Sequence, residues 1–117
     1  MGTSSKATTS RPREVRISSQ AFQNINEVTG YIAFVDQSPL NAIKVGDALF
    51  QTIDRIERNP LAFKECRELP TKSKMYRQAV CYSWIIIYKI TDIEIIILGV
   101  IHGARRPSVI KNLRKIR

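Results

Sequence analysis

Trp84-Ile-Ile-Ile-Tyr-Lys-Ile-Thr-Asp-Ile-Glu-Ile-Ile-Ile-Leu-Gly-Val-Ile-His-Gly-Ala-Arg-Arg-Pro107 decides the fold. Residues 84–90 form an almost unbroken β-favouring run, the pattern of a strand buried on both faces. Thr91-Asp92 supplies a tight turn, and residues 93–101 form the next strand. Strict alternation puts Ile95, Ile97 and Ile101 on one face and Ile96, Leu98 and Val100 on the other. The apolar run stops at His102, and Gly103 precedes Arg105 and Arg106. The apolar region 79–101 is long enough to raise a membrane reading. Lys89, Asp92 and Glu94 lie inside it, where charge is costly in hydrocarbon. Two strands around a turn fit better.

Working outward, Tyr76–Tyr82 reads as an extended partner strand, and 61–75 as an irregular, charged connection. Upstream, Val15 and Ile17 alternate with Arg16 and Ser18, which predicts a short first strand. Ser18 or Ser19 caps a helix whose buried face is Phe22, Ile25, Val28, Ile32 and Val35. Ser38-Pro39 opens a second helix. Its stripe is Ile43, Gly46, Leu49, Phe50, Ile53 and Ile56, and Asn59-Pro60 ends it. Pro107 opens a short C-terminal helix, with Val109, Ile110 and Leu113 inward and Lys111, Arg114, Lys115 and Arg117 outward. The expected fold is therefore α+β: a β-α-α-β-β-β antiparallel sheet packed against an αα-hairpin, with a C-terminal basic helix or tail. Residues 1–12, rich in Ser and Thr, read as a flexible tail, and 13–117 as a single domain.

The chain has 117 residues and a formal net charge of +9. The charge is uneven: residues 1–60 hold seven Lys/Arg against six Asp/Glu, whereas 61–117 hold twelve against four. Positive charge concentrated in this way attracts anionic partners and speeds encounter with them. Cys66 and Cys81 have neither disulfide-framework nor metal-site spacing, so reduced thiols in a cytoplasmic protein are the default. No signal region follows Met1. No phosphate-cradling glycine loop, paired-carboxylate constellation or nucleophile motif occurs, so no cofactor and no metal are expected.

Arg105 and Arg106 are the sharpest candidates for target or anion binding, because a guanidinium pairs bidentately with phosphate or carboxylate. Arg77, Lys111, Arg114 and Lys115 extend the same basic character. His102 is the one side chain type here that could exchange protons near neutral pH, but general acid–base work needs a partner within hydrogen-bond reach. His102, Arg105 and Lys111 are therefore weak catalytic candidates. Trp84 and Tyr88 read as core, whereas Tyr76 and Tyr82 are left open between core and base stacking.

In the order of its elements the chain resembles the ParE/RelE superfamily of toxins from bacterial type II toxin–antitoxin modules, also described as plasmid stabilisation proteins. The resemblance runs from about Val15 to Arg114. It is carried by Val15-Arg-Ile-Ser-Ser-Gln-Ala21, Asn59-Pro60, Trp84-Ile-Ile-Ile-Tyr88, and Ile96 through the ending His102-Gly-Ala-Arg105. It implies one of two activities. RelE-like members are ribosome-dependent, metal-independent mRNA endoribonucleases, and ParE-like members inhibit DNA gyrase by binding. Both are neutralised by a cognate antitoxin protein. Aligned residue by residue, Arg105 matches the family's arginine after the last strand. The nuclease's central-strand arginine falls near Cys81, and its C-terminal tyrosine near Lys111. The resemblance thus favours the ParE-like branch, acting on gyrase or a related target. The ribosome and mRNA are the alternative target, and a non-toxic binding module on the same fold is the third reading. Exposed sheet edges would permit a homodimer.

Overall fold

A computed structural model describes residues 13–104 and 107–117. The segment 1–12, read above as a tail, and Arg105 and Arg106 lie outside the described residues. The elements are β1 (Glu14–Ile17), α1 (Ser19–Gly30), a π turn (Tyr31–Val35), α2 (Pro39–Arg58) and a 3-10 turn (Pro60–Ala62). Then come β2 (Tyr76–Cys81), β3 (Trp84–Ile90), β4 (Glu94–His102), α3 (Pro107–Asn112) and a closing 3-10 turn (Leu113–Lys115). This is the expected α+β order, with the helical hairpin on one face of a four-stranded sheet.

The strand order is β1-β4-β3-β2. The meander β2-β3-β4 is antiparallel, as read from the sequence, but β1 lies parallel to β4. The hairpin between them makes this possible, since a parallel neighbour needs a long crossover and two helices provide one. β4 is therefore flanked on both sides, and every residue from Ile95 to Ile101 is buried.

Alternation along β4 does not hold throughout. Tyr88 pairs with Ile97 and Ile87 with Gly99, which leaves Leu98 without a partner on β3. This is a β-bulge, and one extra residue reverses the faces beyond it. Ile95, Ile97 and Val100 face the helices, while Ile96, Leu98 and Ile101 face the opposite side. The expected places of Val100 and Ile101 are thus exchanged. The bulge frees two backbone groups, and both are bonded from α1. Ser18 Oγ donates to Leu98 O at 3.1 Å, and Val100 N donates to Asn24 Oδ1 at 3.0 Å. Ser18 also caps α1, its hydroxyl accepting from Ala21 N at 3.0 Å.

The helix faces differ from the expected stripes in the same way. On α1, Ala21 and Ile25 are buried and Val28 is half-buried, whereas Phe22 lies on the outer side. The π turn inserts a residue, with Asp36 N bonding Tyr31 O, so Ile32 stays inside and Val35 rotates outward. On α2 the buried stripe is Ala42, Val45, Leu49, Thr52, Ile53 and Ile56, while Ile43 and Phe50 are exposed. At Gly46 the two helices come close, and a Cβ there would sit 3.4 Å from Thr29 Cγ2. The far face of the sheet is covered by Ile110 and Leu113 of the C-terminal segment and by Cys66 and Leu69 of the 61–75 connection.

Asn24→Ala removes the acceptor for a buried amide. It is expected to cost about 1–3 kcal/mol, measured by urea denaturation, with an unchanged far-UV spectrum.

Candidate functional site

The sheet has two ends, and the register places the candidate residues at them. His102 pairs with Trp84, which pairs with Cys81, so these three mark the end where β4 finishes. Arg77 pairs with Tyr88 and belongs to the other half of β2. The sequence grouped Arg77 with Lys111, Arg114 and Lys115; the register puts it on β2, away from the end where β4 finishes. Its Nε donates to Lys74 O at 2.9 Å, and its Nη1 donates to Phe63 O at 2.8 Å and Leu61 O at 3.3 Å. Arg77 therefore staples the 61–75 connection to β2, and two of its three nitrogens are committed to that connection.

His102 is exposed at the mouth of an open cleft of about 910 Å³. Asn24, Glu27, Tyr31 and Asp36 line one wall, and Trp84 and His102 the other. The His102 ring stands edge-on to Trp84, with centroids 6.3 Å apart. Its Nδ1 accepts from Ala104 N at 3.1 Å, which makes Nδ1 the unprotonated nitrogen of the neutral ring and leaves Nε2 as the N–H. Among the described residues no carboxylate hydrogen-bonds this histidine.

α3, its closing turn and the residues after it carry Lys111, Arg114, Lys115 and Arg117, all exposed, while Ile110 and Leu113 are buried. The apolar side seats the segment on β4, so the basic side faces outward, as the spacing predicts. Among the described residues the salt bridge present is Arg16–Glu94, at 3.2 Å, which leaves this basic side without a carboxylate partner. Arg105 and Arg106, which the sequence placed first, are outside the described residues.

The tyrosines left open divide. Tyr76 is buried, with the Lys89 ammonium 5.8 Å above its ring centre. Tyr82 is exposed at the β2–β3 turn with φ 53°, a left-handed conformation that is uncommon for a tyrosine. Tyr88 is fully buried and donates its hydroxyl to Pro60 O. Burial pushes its phenol well above the ordinary value, and the Arg77 charge partly offsets this.

Sequence reasoning passed over Arg55 and Arg58. They sit at the last turn of α2, both exposed, and line a second groove of about 470 Å³ with Gln51, Val80 and Tyr82. Their three-residue spacing on one helix face was the available signal. Ser18 and Asn24 were invisible as bulge partners because the bulge itself was. Cys66 and Cys81 are buried free thiols, and no cluster of three metal-ligating side chains occurs among the described residues. Among those residues no helix is long and apolar enough to cross a membrane.

A family model described as "ParE toxin of type II toxin-antitoxin system, parDE" matches residues 15–107. The chain belongs to the ParE toxin family of type II toxin–antitoxin systems. Among solved structures it is similar to a chain of the chromosomal ParDE toxin–antitoxin system from P. aeruginosa, at 12% identity and a TM-score of 0.62. That match covers 80% of this chain and 98% of the other, and shows a shared fold. A chain of the RelBE2 toxin–antitoxin complex from Mycobacterium tuberculosis also matches, at 19% identity and a TM-score of 0.48, covering 78% of this chain and 98% of that one. No curated protein sequence matches.

Two measurements test these placements. Arg77→Ala is expected to cost about 2 kcal/mol and to open 61–75 to limited proteolysis, while the meander keeps its hydrogen-exchange protection. Burial, reinforced by the nearby Glu68 charge, pushes the Cys66 thiol from 9.0 up to about 11. The folded protein then holds that proton more tightly than the unfolded chain. The associated stability is whole below pH 9.0 and is lost as pH rises toward about 11. Urea midpoints measured across that window should fall more steeply for the wild type than for Cys66→Ala.

Proposed function

We propose that this ParE-family toxin acts by binding rather than by catalysis, and that its target is DNA gyrase or a related replication protein. A cognate antitoxin neutralises it. The observation that supports this reading most is the basic outer side of the C-terminal segment. Lys111, Arg114 and Lys115 stand exposed and free of carboxylates among the described residues, on α3 and its closing turn, which Ile110 and Leu113 anchor to the sheet that holds the most buried strand. A rigid base holds the charges in place, so long-range attraction becomes a docking geometry. Arg105 and Arg106 are included in this proposed surface on the sequence reading alone.

Binding rather than mRNA cleavage is favoured by what stands at the aligned positions. Cys81, near the place of the nuclease's central-strand arginine, is buried and cannot hold a phosphate. His102 has its Nδ1 occupied by the Ala104 amide. Proton transfer to and from an attacking 2′-hydroxyl needs a positioned acid and base, and among the described residues no carboxylate is bonded to His102.

The purified protein is expected to block gyrase supercoiling while leaving mRNA intact in a translation extract. Codon-positioned cuts with normal supercoiling would establish the RelE-like alternative instead. Arg105→Ala, or Lys111→Glu with Lys115→Glu, should weaken target binding by about tenfold or more, roughly 1.4 kcal/mol per decade. Raising salt should shrink that difference. Unchanged growth inhibition by both variants would remove these residues from the target surface. A harmless wild-type protein, expressed alone, would leave the non-toxic binding module.

A further inference from the structure

Between α2 and the hairpin end of β2 lies the groove of about 470 Å³. Arg55 and Arg58 supply two guanidinium groups to it, and Gln51 an amide. One Arg55 nitrogen donates to Thr52 Oγ1 at 3.2 Å, and neither arginine has a carboxylate partner among the described residues. Val80 adds backbone groups. Bonded and non-bonded pairs alternate in an antiparallel ladder. Tyr76 O and Gln78 N bond outward, to Cys66 N at 2.8 Å and Lys64 O at 3.0 Å. Val80, two residues on, therefore turns its N–H and C=O outward as well, and among the described residues nothing pairs with either.

Tyr82 forms the lip of this groove, as the first residue of the two-residue turn between Cys81 and Trp84. Its φ of 53° lies in the left-handed region. Two-residue turns that need a positive φ at their first residue take glycine there. Burial does not offset the strain, since the side chain is 57% exposed. A strained residue that packing does not explain points to a use for its side chain. The groove thus joins two guanidinium forks, an outward N–H, an outward C=O and an exposed ring. A phosphate monoester offers three terminal oxygens to the forks and the N–H. A sugar hydroxyl supplies a donor for the Val80 carbonyl, and a base stacks on an aromatic ring. We propose that the groove is a binding site for a mononucleotide, its phosphate held by Arg55, Arg58 and the Val80 N–H, and its base laid on Tyr82. The volume is that of a small-molecule site. A monoester carries about −1.5 to −2 charges near neutral pH and so matches two guanidiniums, whereas each diester within a strand carries one. A simple inorganic anion or dicarboxylate would leave the carbonyl and the ring without partners. The site is on the helix side of the sheet, while Ile110 and Leu113 seat the basic C-terminal segment on the other side. It is therefore separate from the proposed target surface and does not depend on the toxin reading.

The probe is adenosine 5′-monophosphate, titrated into the full-length protein and followed by amide NMR. Saturable shifts are expected at Gln51, Val80 and Tyr82, with slowed hydrogen exchange at Val80. Arg55→Gln with Arg58→Gln should weaken binding about tenfold or more. Tyr82→Gly should weaken it roughly fivefold or more, yet keep or raise the melting temperature, because glycine takes a positive φ without strain. A purely structural tyrosine would do the reverse, lowering the melting temperature and leaving binding unchanged, and that result would overturn the proposal. Inorganic phosphate, adenosine and succinate should each bind about tenfold more weakly than the nucleotide. Equal binding by phosphate would mean an adventitious ion only, and would overturn the proposal. So would equal binding by adenosine or succinate, the absence of saturable shifts, or shifts centred on Lys111 and Arg114. A single-stranded tetranucleotide lacking a terminal phosphate, if it bound the groove more tightly than the mononucleotide, would overturn it in favour of a strand.

Discussion

Leu98 is the extra residue in β4, and the rest of the domain is arranged around the two backbone groups that it releases. The Leu98 carbonyl is taken by the Ser18 hydroxyl and the Val100 amide by the Asn24 side chain. The partners are the N-cap and a mid-helix residue of α1, so one irregularity ties the first strand, the first helix and the most buried strand together. Without these bonds two polar groups would be buried unpaired, which is costly. Gly99 belongs to the same arrangement, since a Cβ there would meet the Leu113 methyls at 3.1 Å and Asn24 Oδ1 at 3.2 Å. A bare backbone at that point lets the C-terminal segment lie on the sheet, and so fixes where its basic side points.

Charge follows the layers. Between Ser19 and Asp54 the helical hairpin carries Glu27, Asp36, Asp47 and Asp54 against Lys44 alone. The net positive charge of the molecule lies mainly in the C-terminal segment, with smaller excesses ahead of α1, in the last turn of α2 and in the 61–75 connection, while the meander balances Arg77 and Lys89 against Asp92 and Glu94. An acidic partner is therefore drawn to the sheet side and its borders, not to the middle of the hairpin. The hairpin tip is different in kind: Tyr31, Phe34, Val35 and Leu40 are exposed there, on and beyond the π turn. The two regions are suited to different contacts, one steered by charge and the other by apolar area.

Much of this was legible before any coordinates. The isoleucine runs marked the meander, Ser38-Pro39 and Asn59-Pro60 bounded α2, and the basic spacing of α3 gave its outward side. These signals are local: each depends on residues within a turn or two of one another. What was not legible depends on contact between distant segments. The faces of α1 and α2 shifted once the helices packed on each other and on the sheet, where Ala42, Val45 and Thr52 are buried and Ile43 and Phe50 are exposed. The faces of β4 shifted because one residue went unpaired. Arg77 looked like a free cation because nothing in its neighbourhood announces that the carbonyls of Leu61 and Phe63 fold back onto it.

Periodicity, capping residues and charge distribution thus determined the number, order and type of the elements, and which half of the chain is basic. The fold alone decided that β1 runs parallel to β4, that alternation breaks at Leu98, that Arg77 is an internal staple, and that Val80 is left on an open edge. The bonds that make the first two choices join residues 76 to 80 positions apart. A short stretch of sequence specifies its own conformation through steric and hydrogen-bond preferences. Register and edge exposure are fixed only when separate segments meet and their remaining polar groups must be paired.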